Sequence, residues 1–204
     1  MRALLVVDLQ YDFLPGGALA VQNGDDIIPL INEIQLNFDL IIATQDWHPL
    51  NHQSFASQHV HKKVYDVIEL NGISQVLWPD HCIQGTAGAE FSKAWTNTAV
   101  AAVFRKGMEE EIDSYSGFYD NNKINTTGLL GYLKDKGVSE VYVCGLAAEF
   151  CVYYTAVDAK KAGFKTYFLD FATRPITKEG LEDAKEKMLQ KDIIVLTQKE
   201  DLNL

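Results

Sequence analysis

Six short apolar runs, separated by stretches with helical spacing, limit what this 204-residue chain can fold into. The runs are Ala3–Val7, Leu40–Thr44, Ala99–Phe104, Glu140–Cys144, Lys165–Leu169 and Asp192–Leu196. Each is short and largely apolar without alternation, the pattern of strands covered on both faces. Between them, Asp26–Phe38 places Ile27, Leu30, Ile31 and Ile34 on one helical stripe, and Thr126–Lys136 does the same with Leu129, Leu130 and Leu133. Ala147–Ala162 and Lys178–Gln190 complete the helices, with Gly137 and Gly163 placed to end two of them. Strands that alternate with helices predict an α/β fold: a doubly wound, six-stranded, mostly parallel sheet with helices on both faces. With 47% hydrophobic residues the chain can fill that core as one domain over residues 1–204. One long irregular stretch, Trp47–Gly88, is unusual for a compact domain and points to a functional loop.

In open α/β sheets ligands bind beyond the carboxyl ends of the strands. Asp8 follows the first apolar run, Asp46 the second and Lys106 the third, while the fourth leads through Gly145 and a tight turn to Cys151. One sheet edge is thus expected to collect two carboxylates, an ammonium and a thiol. A lone Asp at a strand end is usually a turn former and a lone apolar Cys usually packing. Four such groups on one edge predict a site.

The net charge of −10 argues against nucleic acid or an anionic membrane as partner and favours a small molecule. Three cysteines do not make a disulfide framework, and the apolar N-terminal run stops at Asp8, too early for a signal segment. A cytoplasmic location is the expectation.

An ordinary thiol is mostly protonated at neutral pH. A nearby Lys106 would favour the thiolate, and a nearby Asp8 could take the proton and later return it to a leaving amine. Placing Cys151 at a helix start adds the positive end of the helix dipole. The backbone N–H groups of Ala147 and Cys151 could form an oxyanion hole.

The long loop carries a second constellation. Asp46 and His48 can share a face of an extended segment, and His81 can complete a three-donor set of one oxygen and two nitrogens. That set suits one divalent ion, zinc first, with iron or manganese also fitting. Cys82 neighbours His81 but should face the other way and pack, while His59 and His61 read as solvated loop residues.

The segments VVDLQYDF, ATQDWHPLNHQSFASQH, WPDHCIQGTAGAEF, AVFRKG, DSYSGFYDN and GLAAEFCV together resemble the isochorismatase-like cysteine hydrolases, in their nicotinamidase/pyrazinamidase branch, over essentially the whole length. The resemblance implies a triad of Asp8, Lys106 and Cys151 and metal ligands Asp46, His48 and His81, with His52 a possible fourth. It also implies a cis peptide between Leu146 and Ala147, and a substrate ring lined by Phe13, Trp78 and Tyr115. The implied activity is hydrolysis of nicotinamide in NAD salvage, by a protein that could form a homo-oligomer. The alternative is a metal-independent isochorismatase-like or carbamoyl-amide hydrolase of the same fold, which has no need of the Asp46, His48, His81 set. A nucleotide-binding module would need a glycine-rich first turn, and DLQYDFLPGG supplies no G-x-G-x-x-G.

Overall fold

The computed structural model describes residues 1–202. Its strands are β1 (Arg2–Val7), β2 (Leu40–Asp46), β3 (Val67–Leu70), β4 (Ile73–Val76), β5 (Val100–Lys106), β6 (Glu140–Leu146), β7 (Lys165–Arg174) and β8 (Ile194–Leu196). Its α-helices are α1 (Ile27–Ile34), α2 (Leu129–Asp135), α3 (Tyr153–Lys161) and α4 (Lys178–Leu189). Six of the strands form one sheet in the order β5-β2-β1-β6-β7-β8, and every pair in it is parallel.

Alternation along the strands sends side chains to two layers. Leu4 and Val6 pack with Ile27, Ile31 and Ile34 of α1 on one face. Ala3, Leu5 and Val7 pack with Leu129 and Leu133 of α2, Ala156 of α3 and Met188 of α4 on the other. The sheet is therefore covered on both sides, as its near-continuous apolar strands require.

Chain order reverses beside β1: β2 and β5 extend the sheet one way, and β6, β7 and β8 extend it the other. The carboxyl ends of β1 and β6 flank this switch point, where a doubly wound sheet opens a crevice. Gly145, near the end of β6, is what lets the two strands close there. A Cβ on it would lie 2.0 Å from the Val7 carbonyl oxygen, and its φ of +113° disfavours any other residue.

Several expectations shift in detail. Trp47–Gly88 contains the antiparallel hairpin β3–β4 rather than only irregular chain. Its Asn71–Gly72 turn, with φ of +51° and +81°, has the geometry that closes a tight hairpin. β7 continues through Asp170, Phe171, Ala172 and Thr173 instead of ending at Leu169, because the Thr173 hydroxyl donates to Gly145 O at 2.6 Å and renews pairing with β6. In α1 it is Ile28, not Leu30, that joins the fully buried stripe. The stretch from Ala147 does not begin as regular helix: Val152 N–H reaches Ala147 O, five residues back, in a wide turn that precedes α3.

Candidate active site

Three strand ends and the wide turn meet at the switch point. Asp8 follows β1 with φ of +50°, a backbone state that Asp tolerates better than most residues. Its Oδ1 accepts from the Thr44 hydroxyl at 2.6 Å, and Oδ2 pairs with Lys106 Nζ at 2.9 Å. Lys106 ends β5 with its ammonium fully buried; it donates to Asp46 Oδ1 at 2.8 Å, to Ser114 O at 3.0 Å and to Cys151 Sγ at 3.4 Å. The structure thus gathers Asp8, Lys106 and Cys151 around one ammonium.

Electrostatics here is a contest between burial and pairing. Burial works against the Lys106 charge, but Asp46 and Asp8 overcome it and hold the ammonium well above its ordinary range. Burial raises the Asp8 carboxyl despite Lys106, which leaves it a better base than an exposed Asp. For Cys151 burial outweighs Lys106 and pushes the thiol well above its ordinary range. The sulfur sits in the wide turn, where Lys106 favours the thiolate against that burial.

The second constellation also assembles. Asp46, His48 and His81 are all buried, and one donor atom from each lies within 4.8 Å of the others. His48 Nδ1 is 2.8 Å from Gly107 O, and His81 Nδ1 is 2.8 Å from Pro79 O. A carbonyl can only accept, so each Nδ1 carries a proton and Nε2 is the atom turned toward Asp46; burial lowers the His48 pKa, but Asp46 outweighs it and raises it, so a metal at Nε2 would take the place of a proton there. Those Nε2 atoms lie 3.0 and 3.4 Å from Asp46 Oδ2. Three donor groups facing one another fit a divalent cation, and the backbone carbonyls behind the imidazoles are the outer support that such ligands need.

His52 stands behind this trio. Its ring centroid is 4.3 Å from that of His48, its Nδ1 is 2.7 Å from the Ser54 hydroxyl, and it groups with His48 and Asp113 rather than with Asp46 and His81. Burial, then His48, lowers its pKa to about 4. Cys82 is buried among apolar residues and belongs to neither donor group, so it packs as expected. His61 is exposed, while His59 is half-buried with Nε2 2.8 Å from Gln53 O, which corrects its reading as solvated.

Both constellations contribute residues to one pocket. Cys151 and Ala147 form part of its wall, Asp46 and His81 another part, and Phe13, Trp78 and Tyr115 also line it. The Leu146–Ala147 peptide is cis. Phe13 meets His81 edge-on at 5.5 Å, and Trp78 meets Phe150 edge-on at 4.8 Å.

Several residues of the site carried no notice in the sequence. Gln10 clamps the end of β2, accepting from Asp46 N–H at 2.8 Å and donating to Asp46 O at 2.7 Å. Gly107 has φ of +64°, and a Cβ on it would fall 2.4 Å from His48 Cε1. Asp113 lines the pocket. Only their neighbours pointed to them: Gly107 follows Lys106, and Asp113 opens the DSYSGF segment that holds Tyr115.

Comparison with known proteins agrees with this geometry. The nicotinamidase of Acinetobacter baylyi is 48% identical over 188 residues, covering 92% of this chain and 88% of that protein. The solved structure of a nicotinamidase/pyrazinamidase from Acinetobacter baumanii superposes with a TM-score of 0.96 at 47% identity, covering 98% of this chain and 97% of that one. A pyrazinamidase of Pyrococcus horikoshii, solved in complex with zinc, superposes with a TM-score of 0.78 at 41% identity, covering 97% and 99%. The model of the isochorismatase domain matches residues 2–200. By sequence, sheet order and the residues gathered at the switch point, the chain belongs to the isochorismatase family.

Proposed function

We propose that this chain, acting as one domain, is an amidohydrolase that converts nicotinamide to nicotinate and ammonia through a cysteine thioester, and that it also accepts pyrazinamide. The observation that carries the reading is the shared pocket: Cys151 lines the same cavity as the metal-donor residues Asp46 and His81. A nucleophile alone suits many amides. A nucleophile beside a Lewis-acid seat and aromatic walls suits a flat heteroaromatic carboxamide.

Cys151 attacks the amide carbon as its proton passes to Asp8, which burial leaves a stronger base than an exposed Asp. Lys106, 3.4 Å from the sulfur, supports the negative charge as it forms. The Ala147 and Cys151 backbone N–H groups receive the oxyanion. Asp8 gives the proton to the departing nitrogen, ammonia leaves, and the acyl group remains on sulfur. Water then attacks the thioester, one of its protons returning through Asp8 to the thiol, and the carboxylate product is released. Phe13 and Trp78 hold the ring so that the carbonyl lies over Cys151.

Asp46, His48 and His81 would hold one divalent ion, with His52 behind them keeping the His48 ring in place. When bound, that ion offers a Lewis-acidic seat to a ring nitrogen or a water. Zinc suits one carboxylate and two imidazoles, and the zinc-bound pyrazinamidase of Pyrococcus horikoshii supports it. Nicotinate, the product, is a precursor for NAD synthesis, which fits a salvage role. The chain's acidic charge fits a small-molecule partner rather than nucleic acid or membrane. No helix among the described residues is long and apolar enough to cross a membrane.

The test is to follow nicotinamide with purified protein. Ammonia and nicotinate should appear in equal amounts, and added hydroxylamine should divert part of the acyl group to the hydroxamate. Absence of ammonia would reject the activity, and ammonia without any hydroxamate would reject the thioester.

A further inference from the structure

β6 and β7 run side by side as far as the pairs Gly145–Thr173 and Leu146–Arg174, and there the two backbones part. β6 continues into the wide turn that carries Cys151, and β7 into Pro175, Ile176 and then α4. One side chain still joins them. Glu149, in the wide turn, accepts the Ile176 N–H on Oε2 at 3.1 Å and the Thr177 N–H on Oε1 at 2.7 Å. Its carboxylate takes over, beyond the strand ends, the pairing that backbone carbonyls supply within the sheet.

The plain reading makes Glu149 an acid drawn to the positive end of α4. That end already has its cap, because the Thr177 hydroxyl accepts the Gly180 N–H at 3.1 Å. The space around the carboxylate is specific as well. Gly180 stands in the first turn of α4, where glycine is a poor helix former, and a Cβ there would lie 2.7 Å from Thr177 Oγ1 and 2.9 Å from Glu149 Cγ. The absent side chain leaves room for both.

What the two bonds hold in place is a wall of the pocket. Ile176 lines it together with Ala147 and Cys151, and packs half-buried against the core cluster that contains Phe13 and Trp78. Ile176 belongs to no strand or helix, so its backbone N–H has no partner from regular structure and is met by Glu149 instead. The same five-residue turn therefore carries the nucleophile and grips the wall that faces it.

We propose that Glu149 is a positioning residue that couples the turn of the nucleophile to the Ile176 wall, and so sets how closely that wall meets the ring of the bound carboxamide. This rests on the amidohydrolase reading above. A wall touches the ring in the ground state and the transition state alike, so displacing it raises KM more than it lowers kcat.

The measurement is KM and kcat for nicotinamide on wild type, Glu149→Ala, Ile176→Ala and the double variant. Ile176→Ala should raise KM at least about tenfold, since the wall loses most of a side chain, and Glu149→Ala at least about fivefold with a smaller change in kcat. The double variant should stay within about twofold of the worse single, because Glu149 acts through the wall that Ile176→Ala removes. An unchanged KM in Glu149→Ala, a loss confined to kcat, or losses that multiply in the double variant would overturn the proposal and leave Glu149 a helix-end anion. Glu149→Gln keeps the shape and one acceptor oxygen and should raise KM at least about twofold; it carries the test by the same criteria if Glu149→Ala does not fold. Binding of uncharged nicotinamide to the same variants in a Cys151→Ala background reads the wall without turnover, and its Kd should rise in the same pattern. If wild type releases no ammonia from nicotinamide, the amidohydrolase reading fails, while the Kd pattern still decides the role of Glu149: the same ratios uphold it, and flat ratios or no binding overturn it.

Discussion

Lys106 and Asp46 meet at 2.8 Å through Asp46 Oδ1, while the other oxygen of that carboxylate faces the imidazoles of His48 and His81. One side chain therefore belongs to both constellations. It neutralises the ammonium beside the thiol and supplies a metal donor, so the two halves of the site cannot be perturbed independently.

That sharing sets the outcome of the first substitutions. Asp8→Asn and Lys106→Ala should each lower kcat by about 10³-fold or more, and the double variant should be little worse than either, because members of one unit are not additive. Losses that multiply would show that Asp8 and Lys106 act separately.

Among the cysteines, iodoacetamide should modify Cys151 first, since it alone lines the pocket while Cys82 and Cys144 are sealed in the core. Burial holds the Cys151 thiol well above the ordinary value near 9. The thiolate fraction, and with it the alkylation rate, should keep rising above pH 9 instead of levelling off below it. Peptide mapping that finds Cys82 or Cys144 modified first, with activity kept, would reassign the nucleophile.

The carbonyl behind His48 is open to test without reference to turnover. Gly107→Ala puts a Cβ against the His48 ring and strains a left-handed φ, so metal affinity measured by titration with a chelating dye should fall about 10–100-fold. Unchanged affinity would mean that Gly107 does not set the imidazole.

At the switch point, Gly145→Ala forces a Cβ into the Val7 carbonyl and should cost about 3 kcal/mol or more. Denaturant unfolding would read it. A loss near zero would mean that β1 and β6 separate easily.

What could be read from the sequence was what depends on one strand at a time. A buried parallel strand is an apolar run, and Asp8, Asp46 and Lys106 each break such a run with a charge, so both constellations were visible before their contacts were. Contacts made across strands left no trace. Gln10 clamps a strand that lies 36 positions away, and Gly107 matters only because its backbone turns left-handed against His48. The β3–β4 hairpin was hidden because its strands are short and half-exposed, although Asn71–Gly72 was a turn signal. The burial that opposes Lys106 at Cys151 was also hidden, because proximity to Lys106 follows from one strand end while burial belongs to the whole fold.

The central claim is that the thiol and the metal-donor trio act on one substrate in one pocket. Its most direct test is kcat/KM for nicotinamide and benzamide on metal-loaded and metal-stripped protein, with metal content measured on each sample. Benzamide has the same size and the same amide but no ring nitrogen, and a site built around a polar contact rejects the analogue that lacks it by about 10⁴-fold. Nicotinamide should be favoured on that scale by the loaded protein, and stripping should sharply reduce its turnover. Equal rates for the two amides, or full activity without metal, would contradict the account.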